Sequence, residues 1–311
     1  MKKILRFVLQ WGAVMLIIAT TLGFLGRFHW FFELFTSFKL QYTFSLLIAI
    51  IGLTLIKKRI LALICMVFFI PNLLAILPSY SASSYDNINL GNLRVTSINL
   101  LSSNHNYTQV ESYINKVKPD ILVMEEFQEH WQQGLKNTLK DYSFQYAVPR
   151  IDNFGIAIFS KTKLNSTKTL TLNQAGIPSL LCSFLINNEE VYLLATHPPP
   201  PISSSKYTIR SKQLNEIGAL GAKLKNLIVI GDLNLTPYCY HFDNLLEQGH
   251  LKDTRAGFGI QPTWPTWGWP FSIPLDHCLT SDDIITINRS VGPDVGSDHY
   301  PITIDLLISS L

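Results

Sequence analysis

Three stretches of this chain carry no charged side chain, residues 7–26, 40–56 and 60–85, and they decide what its first quarter can fold into. A helix rises about 1.5 Å per residue, and the hydrocarbon core of a bilayer is about 30 Å thick. The first and third runs are long enough to cross it; the second is at the short limit. Pro71 and Pro78 place the end of the third span in the mid-seventies. The expectation is a membrane anchor over residues 1–79, with spans near 7–26, 40–56 and 60–78. A cleaved signal peptide is the poorer reading of residues 1–26. The run is long for a signal core, no convincing small-x-small site follows it, and two more apolar runs come after. A buried helical hairpin fits poorly with three such runs in about 80 residues.

Basic residues orient the spans. Lys2, Lys3 and Arg6 precede the first, and Lys57, Lys58 and Arg59 separate the second from the third. Both clusters belong on the cytoplasmic side, against Arg27 and Lys39 in the opposite loop. That loop also carries Phe28, Trp30, Phe31, Phe32, Phe35 and Phe38, which suit an interfacial segment. Three spans with the N-terminus inside put residues 80–311 outside the cytoplasm. The expectation is an integral membrane protein with an extracytoplasmic domain, periplasmic and on the inner membrane if the source is bacterial.

Residues 1–85 hold a net charge of +7 against +3 for the whole chain, which leaves −4 for the remainder. A slightly acidic domain lacks the footprint of a non-specific duplex binder. Cys182, Cys239 and Cys278 are far apart and without metal-site spacing, which favours buried free thiols.

Residues 80–92, YSASSYDNINLGN, read as a linker, and 93–311 as one domain of short β-rich runs. Leu93–Leu100, Ile121–Met124, Leu227–Ile230, Leu275–Leu279 and Ile302–Leu307 read as strands. Gly155–Phe159, Leu180–Ile186 and Val191–Thr196 read as an antiparallel meander. Tyr107–Val117 and Arg210–Leu224 read as amphipathic helices; Arg210 and Lys212, at the start of the second, could meet phosphate, but solvent is the favoured reading. Many short strands with a few helices outside them suggest two packed sheets, an α/β sandwich.

Polar groups recur at the ends of these strands: Asn99, Glu126, His197, Asp232 and Asn234 in Gly-Asp-Leu-Asn, Asp276, then Asp298 and His299 in Ser-Asp-His-Tyr-Pro. Singly, each reads as a turn or cap residue. Together they are an oxygen-rich set that suits a hard cation such as Mg²⁺, and such a cation can clamp the oxygens of a phosphate.

The order N…E…TH…GDxN…DH…SDHxP resembles the endonuclease/exonuclease/phosphatase superfamily over roughly residues 93–309. The run PTWPTWGWPFSIPLDH also looks like a membrane-attached bacterial branch. The resemblance implies a four-layered α/β sandwich, two mixed β-sheets flanked by helices, behind about three transmembrane helices. It implies a Mg²⁺ cofactor, with Mn²⁺ as a substitute, held by Asn99 and Glu126, with Asp298 near the metal or on His299. It further implies Asp232 on the attacking water, Asn234 and His299 on the phosphate, and His197 on phosphate or leaving group. Asp276 matches a further acid able to serve beside His299 or the metal. Gln is usual before the metal Glu, and here it is Glu125, so Glu125 and Glu126 compete; the register from Asp120 favours Glu126. The partners implied are the bilayer and a phosphate-ester substrate, either nucleic acid or a lipid or inositol phosphate; no protein partner is inferable. The missing Tyr and Arg of the apurinic-site enzymes argue against abasic-site repair. Trp264, Trp267 and Trp269 read either as plugs for the sandwich edge or as a substrate- or lipid-facing lip. The alternative from another class is an inactive binding or scaffold module on the same fold, which would have no need of the full polar set.

Overall fold

Unbroken apolar runs in which every backbone group bonds within the segment become helices. In the computed structural model, which describes residues 2–81 and 91–309, they form α1 (Lys2–Phe24), α3 (Lys39–Leu55) and α4 (Arg59–Ile76). Between the first two lie the single turn α2 (Trp30–Glu33) and a 3₁₀ turn, Thr36–Phe38. The second run is short by itself, but the apolar helical stretch extends over Trp30–Leu55, 26 residues. All three stretches are long and apolar enough to cross a membrane. Their packing reverses the pattern of a soluble bundle. Small Ala13, Ala49 and Ala62 are buried at the helix contacts, while Ile48, Leu55, Ile60 and Leu63 are more than half exposed. Most of the expected linker, residues 82–90, lies outside the described residues.

The rest of the chain forms two six-stranded mixed sheets flanked by helices, the expected four-layered sandwich. The first has the order β11 (Ile284–Val291), β12 (Ile302–Ile308), β1 (Leu93–Asn99), β2 (Ile121–Glu125), β4 (Ile156–Ser160), β3 (Phe144–Val148). The second has the order β5 (Leu164–Thr171), β6 (Pro178–Ile186), β7 (Glu189–Thr196), β8 (Leu227–Asp232), β10 (Asp276–Ser281), β9 (Leu251–Asp253). Helices α5 (Tyr107–Val117), α6 (Glu129–Gly134) and α7 (Lys136–Leu139) belong to the first half; α8 (Ser204–Gly221) and α9 (Tyr240–Gly249) belong to the second.

Strand β2 shows why the central runs are apolar throughout. Ile121 and Val123 join the core between the sheets, while Leu122 and Met124 pack with Val110 and Ile114 of α5. A strand covered on both faces has no polar side to show. Three sequence expectations need correction. The run near Gly155 belongs to the first sheet, where β4 pairs with β2 and β3, so the meander is β5-β6-β7. The second amphipathic helix starts at Ser204, because Ser203 caps it with Oγ accepting from the Lys206 N–H. Arg210 is therefore in mid-helix and buried, with 0% of its surface exposed, whereas Lys212 is in solvent as expected.

The topology sets one rim of the sandwich apart. Strands β1 and β2 run parallel and end together, as do β7 and β8. Strand β10 is antiparallel to β8, so its first residue, Asp276, pairs with the last of β8, Asp232. His299 enters the same rim three residues before β12.

Candidate active site

Asp232 is the hub of this rim. Its placement depends on Gly231, whose φ of 143° is barred to most side chains and whose added Cβ would lie 2.1 Å from the Thr196 carbonyl oxygen. Asp232 Oδ1 accepts from the Asn234 N–H at 2.9 Å. Its Oδ2 accepts from Asn99 Nδ2 at 3.2 Å and Asn234 Nδ2 at 3.3 Å. His197 Nε2 lies 3.3 Å and His299 Nε2 3.6 Å from the same oxygen. Burial alone would raise the Asp232 pKa, but His299 and His197 more than reverse that and hold its carboxyl at about 2.

His299 is gripped from behind, its Nδ1 lying 2.8 Å from Asp276 Oδ2. Burial opposes the imidazolium, yet Asp276 and Asp232 on either side push its pKa up to about 10. Burial also opposes a proton on His197, and its bond to Asp232 reverses this, so its pKa too is raised. The ring nitrogens facing Asp232 are thus donors. Asp232, Asp276 and His299 offer ligand atoms within 4.8 Å of one another, and a cationic imidazole between the two carboxylates offsets only one of their negative charges. The three therefore remain a group that could hold a metal ion.

The structure separates the two adjacent acids. Strand β2 ends at Glu125, which points between the sheets, takes a hydrogen bond from Ser97 Oγ at 2.6 Å and is fully buried. Burial pushes its pKa up to about 7. Glu126 leaves the strand through a left-handed backbone, φ 54°, and lines the cavity. Its Oε2 accepts from Ser102 N–H at 2.7 Å and Ser102 Oγ at 2.6 Å. Asp298 also lines the cavity, with Oδ2 accepting from Trp264 Nε1 at 3.0 Å. Asn99 and Asp276 are buried beside the lining and bond to Asp232 and His299, which belong to it.

These residues surround a cavity of about 510 Å³, a size usual for a small-molecule site. Trp264 is part of its wall, while Trp267 and Trp269 are 80% and 77% exposed. Sequence reasoning missed Ser102, which sits in an ordinary-looking Ser-Ser-Asn turn. It also missed Glu33, Leu34 and Ser37, which line the cavity from between the apolar helices. Glu33 had a signal: it is the sole acid in residues 1–85.

The family model described as Endonuclease/Exonuclease/phosphatase family matches residues 87–299, well over half of the chain. Solved structures share the fold. TDP2 of D. rerio, complexed with single strand DNA product, is 18% identical with a TM-score of 0.57, covering 69% of this chain and 98% of that one. An endonuclease/exonuclease/phosphatase from Bacteroides vulgatus is 15% identical, TM-score 0.57, covering 70% and 99%. Sphingomyelinase C from Streptomyces griseocarneus is 17% identical, TM-score 0.51, covering 68% and 98%. No curated protein matches the chain.

Proposed function

This chain belongs to the endonuclease/exonuclease/phosphatase family and is a hydrolase of phosphate esters, and from that premise we propose a membrane-anchored, Mg²⁺-dependent phosphoesterase that works by in-line attack of water. One observation carries the reading: a single carboxylate oxygen, Asp232 Oδ2, faces Asn99, Asn234, His197 and His299 on a cavity wall.

The donors fit a hard cation. Glu126 is fixed at the cavity by two bonds to one of its oxygens, and among the described residues no protein group bonds the other. Glu126, Asn99 and Asp298 would hold Mg²⁺, or Mn²⁺ in its place, through oxygen alone. When bound, the cation neutralises charge on phosphate oxygens. Asp232 aims the water and accepts its proton only as the bond to phosphorus forms, because a carboxyl held at about 2 is a poor base beforehand. Asn234, His197 and His299 donate to oxygens that gain charge in the transition state. Asp276 keeps His299 Nδ1 occupied, so that Nε2–H faces the reaction.

The anchor would be residues 1–79 and the catalytic domain 93–311, with the N-terminus cytoplasmic and the catalytic domain outside. The full chain in detergent should hydrolyse bis-p-nitrophenyl phosphate with Mg²⁺ and stop with EDTA. Inactivity towards that ester, nucleic acids, phospholipids and inositol phosphates would sink the reading. A C-terminal reporter active only in the cytoplasm would refute the topology.

A further inference from the structure

The cavity is built from two parts of the chain far apart in sequence. Its polar floor is His197, Asp232, Asn234 and His299, from strand ends. Glu33, Leu34 and Ser37, from the segment joining α1 to α3, form another part of its wall.

That segment is clamped in place. Glu33 Oε1 lies 2.5 Å from Arg210 Nη2, and both side chains are buried. The contact is a buried ion pair. The other arm of the same guanidinium, Nη1, donates to the Asn234 carbonyl at 2.9 Å. The helix joint and a phosphate-side residue therefore share one arginine. Nearby, Tyr207 Oη donates to the Arg27 carbonyl at 3.3 Å. At the first turn of α3, Gln41 Nε2 donates to the Pro270 and Ser272 carbonyls at 3.0 and 3.3 Å, which ties down the loop carrying Trp267 and Trp269.

Chain direction gives the level of the mouth. The end of α1, the start of α3 and the end of α4 lie on one side if the three helices cross a bilayer in turn. The catalytic domain continues from that side. The cavity then opens where the helices emerge. Around that level Phe28, Ile202, Trp267, Trp269 and Phe271 are 58–80% exposed. Exposed apolar clusters mark a binding or membrane surface, and tryptophan favours the membrane interface. A water-borne phosphate ester needs no such rim, and a long nucleic acid would have to lie across it.

Resting on the phosphoesterase reading above, we infer that this is a composite site, closed on one side by the joint between α1 and α3, and that its substrate is a phosphate ester carried on a lipid in the adjoining leaflet. The phosphate reaches the polar floor while the acyl chains stay among the apolar rim and the bilayer. Hydrolysis consumes one water: a P–O bond forms to its oxygen, the P–O bond to the alcohol breaks, and the alcohol oxygen takes a proton.

The test uses the full chain in mixed micelles with Mg²⁺. Phosphatidylglycerol and phosphatidic acid are compared with their deacylated counterparts, with a single-stranded oligodeoxynucleotide, and with bis-p-nitrophenyl phosphate as reference. At least one lipid should exceed its deacylated form in kcat/KM by about tenfold or more. Leu34→Asp, and separately Trp267→Ser with Trp269→Ser, should lower the ratio of lipid to reference turnover about tenfold. The inference is overturned if the reference ester is cleaved while both lipids do no better than their deacylated forms. It is likewise overturned if the oligonucleotide is the best substrate, or if both variants leave the ratio unchanged. Failure to cleave the reference ester with Mg²⁺ would instead count against the phosphoesterase reading.

Discussion

Asp276 Oδ2 and His299 Nδ1 stand 2.8 Å apart at the rim of the sandwich, and this pairing fixes what the other side of the imidazole can do. With Nδ1 held, Nε2 carries a proton towards Asp232, 3.6 Å away. Asp276→Asn keeps the shape but removes the charge that sustains the imidazolium. We expect kcat to fall about 10²-fold or more, as seen when orienting carboxylates of this kind are neutralised. His299→Ala should cost at least as much. The double variant should cost little beyond His299→Ala, because the two act as one unit. Steady-state kinetics on bis-p-nitrophenyl phosphate checks this, and additive losses would show that they act separately.

Glu126, fixed by Ser102, is the acid aimed at the cavity. Glu126→Gln should raise the Mg²⁺ concentration needed for half-maximal activity by about tenfold or more, and Ser102→Ala should do so more mildly. Glu125→Gln should leave that concentration unchanged, since an amide oxygen can still accept from Ser97. A Mg²⁺ titration of the three variants decides it. A larger effect at Glu125 would exchange the roles of the two acids.

Removing one partner of a buried ion pair strands the other. Glu33→Ala should destabilise the protein by about 3 kcal/mol, read as a lower unfolding midpoint in detergent. It should also lower kcat, because Arg210 then holds the Asn234 carbonyl less firmly. Adding Arg210→Met should recover part of the stability and none of the turnover. Recovered turnover would break the link between the helix joint and the site.

His277 provides a pH test. It is buried, its Nε2 donates to the Leu235 carbonyl at 2.9 Å, and among the described residues its Nδ1 has no partner. Burial lowers its pKa to about 4, helped by Arg289 and opposed by Asp253. The ordinary value is about 6.5, so between these limits the unfolded chain binds the additional proton. Stability contributed by the neutral ring is thus present above about pH 6.5 and is lost as pH falls towards 4, by on the order of 3 kcal/mol. Unfolding midpoints measured across this window should fall with acid in the wild type and fall less in His277→Gln. Equal slopes would show that His277 is not the group responsible.

Much of this was legible in the sequence. Glu126 and Asp232 could be read because β2 and β8 are apolar until near their ends, and the acid there stands out; Asn99 closes a strand that already carries Arg94, Thr96 and Ser97, and His299 precedes β12, so those two were legible only as part of the ordered polar set. Helix α5 was legible for a related reason: Asn106 caps it and Val110, Tyr113 and Ile114 recur on one face. Strand β5 was not, because it is an edge strand with mostly exposed side chains and no alternation to see. The placement of β4 in the first sheet depends on pairing with β2, which no local pattern encodes. Arg210 looked like a solvated helix residue because its partner, Glu33, lies 177 positions earlier. The cavity wall was hidden likewise: Leu34 and Ser37 read as a joint between spans until the tertiary fold brings them to the cavity that His299 also lines.

The central claim is attack by water on phosphorus, directed by Asp232. The direct measurement is hydrolysis of bis-p-nitrophenyl phosphate by the full chain in oxygen-18 water with Mg²⁺, with the products read by phosphorus NMR and mass spectrometry. The account predicts the heavy oxygen in the phosphate product and none in nitrophenol, at a rate lowered about 10³-fold or more in Asp232→Asn. Heavy oxygen in nitrophenol, or an Asp232→Asn variant as fast as wild type, would contradict it.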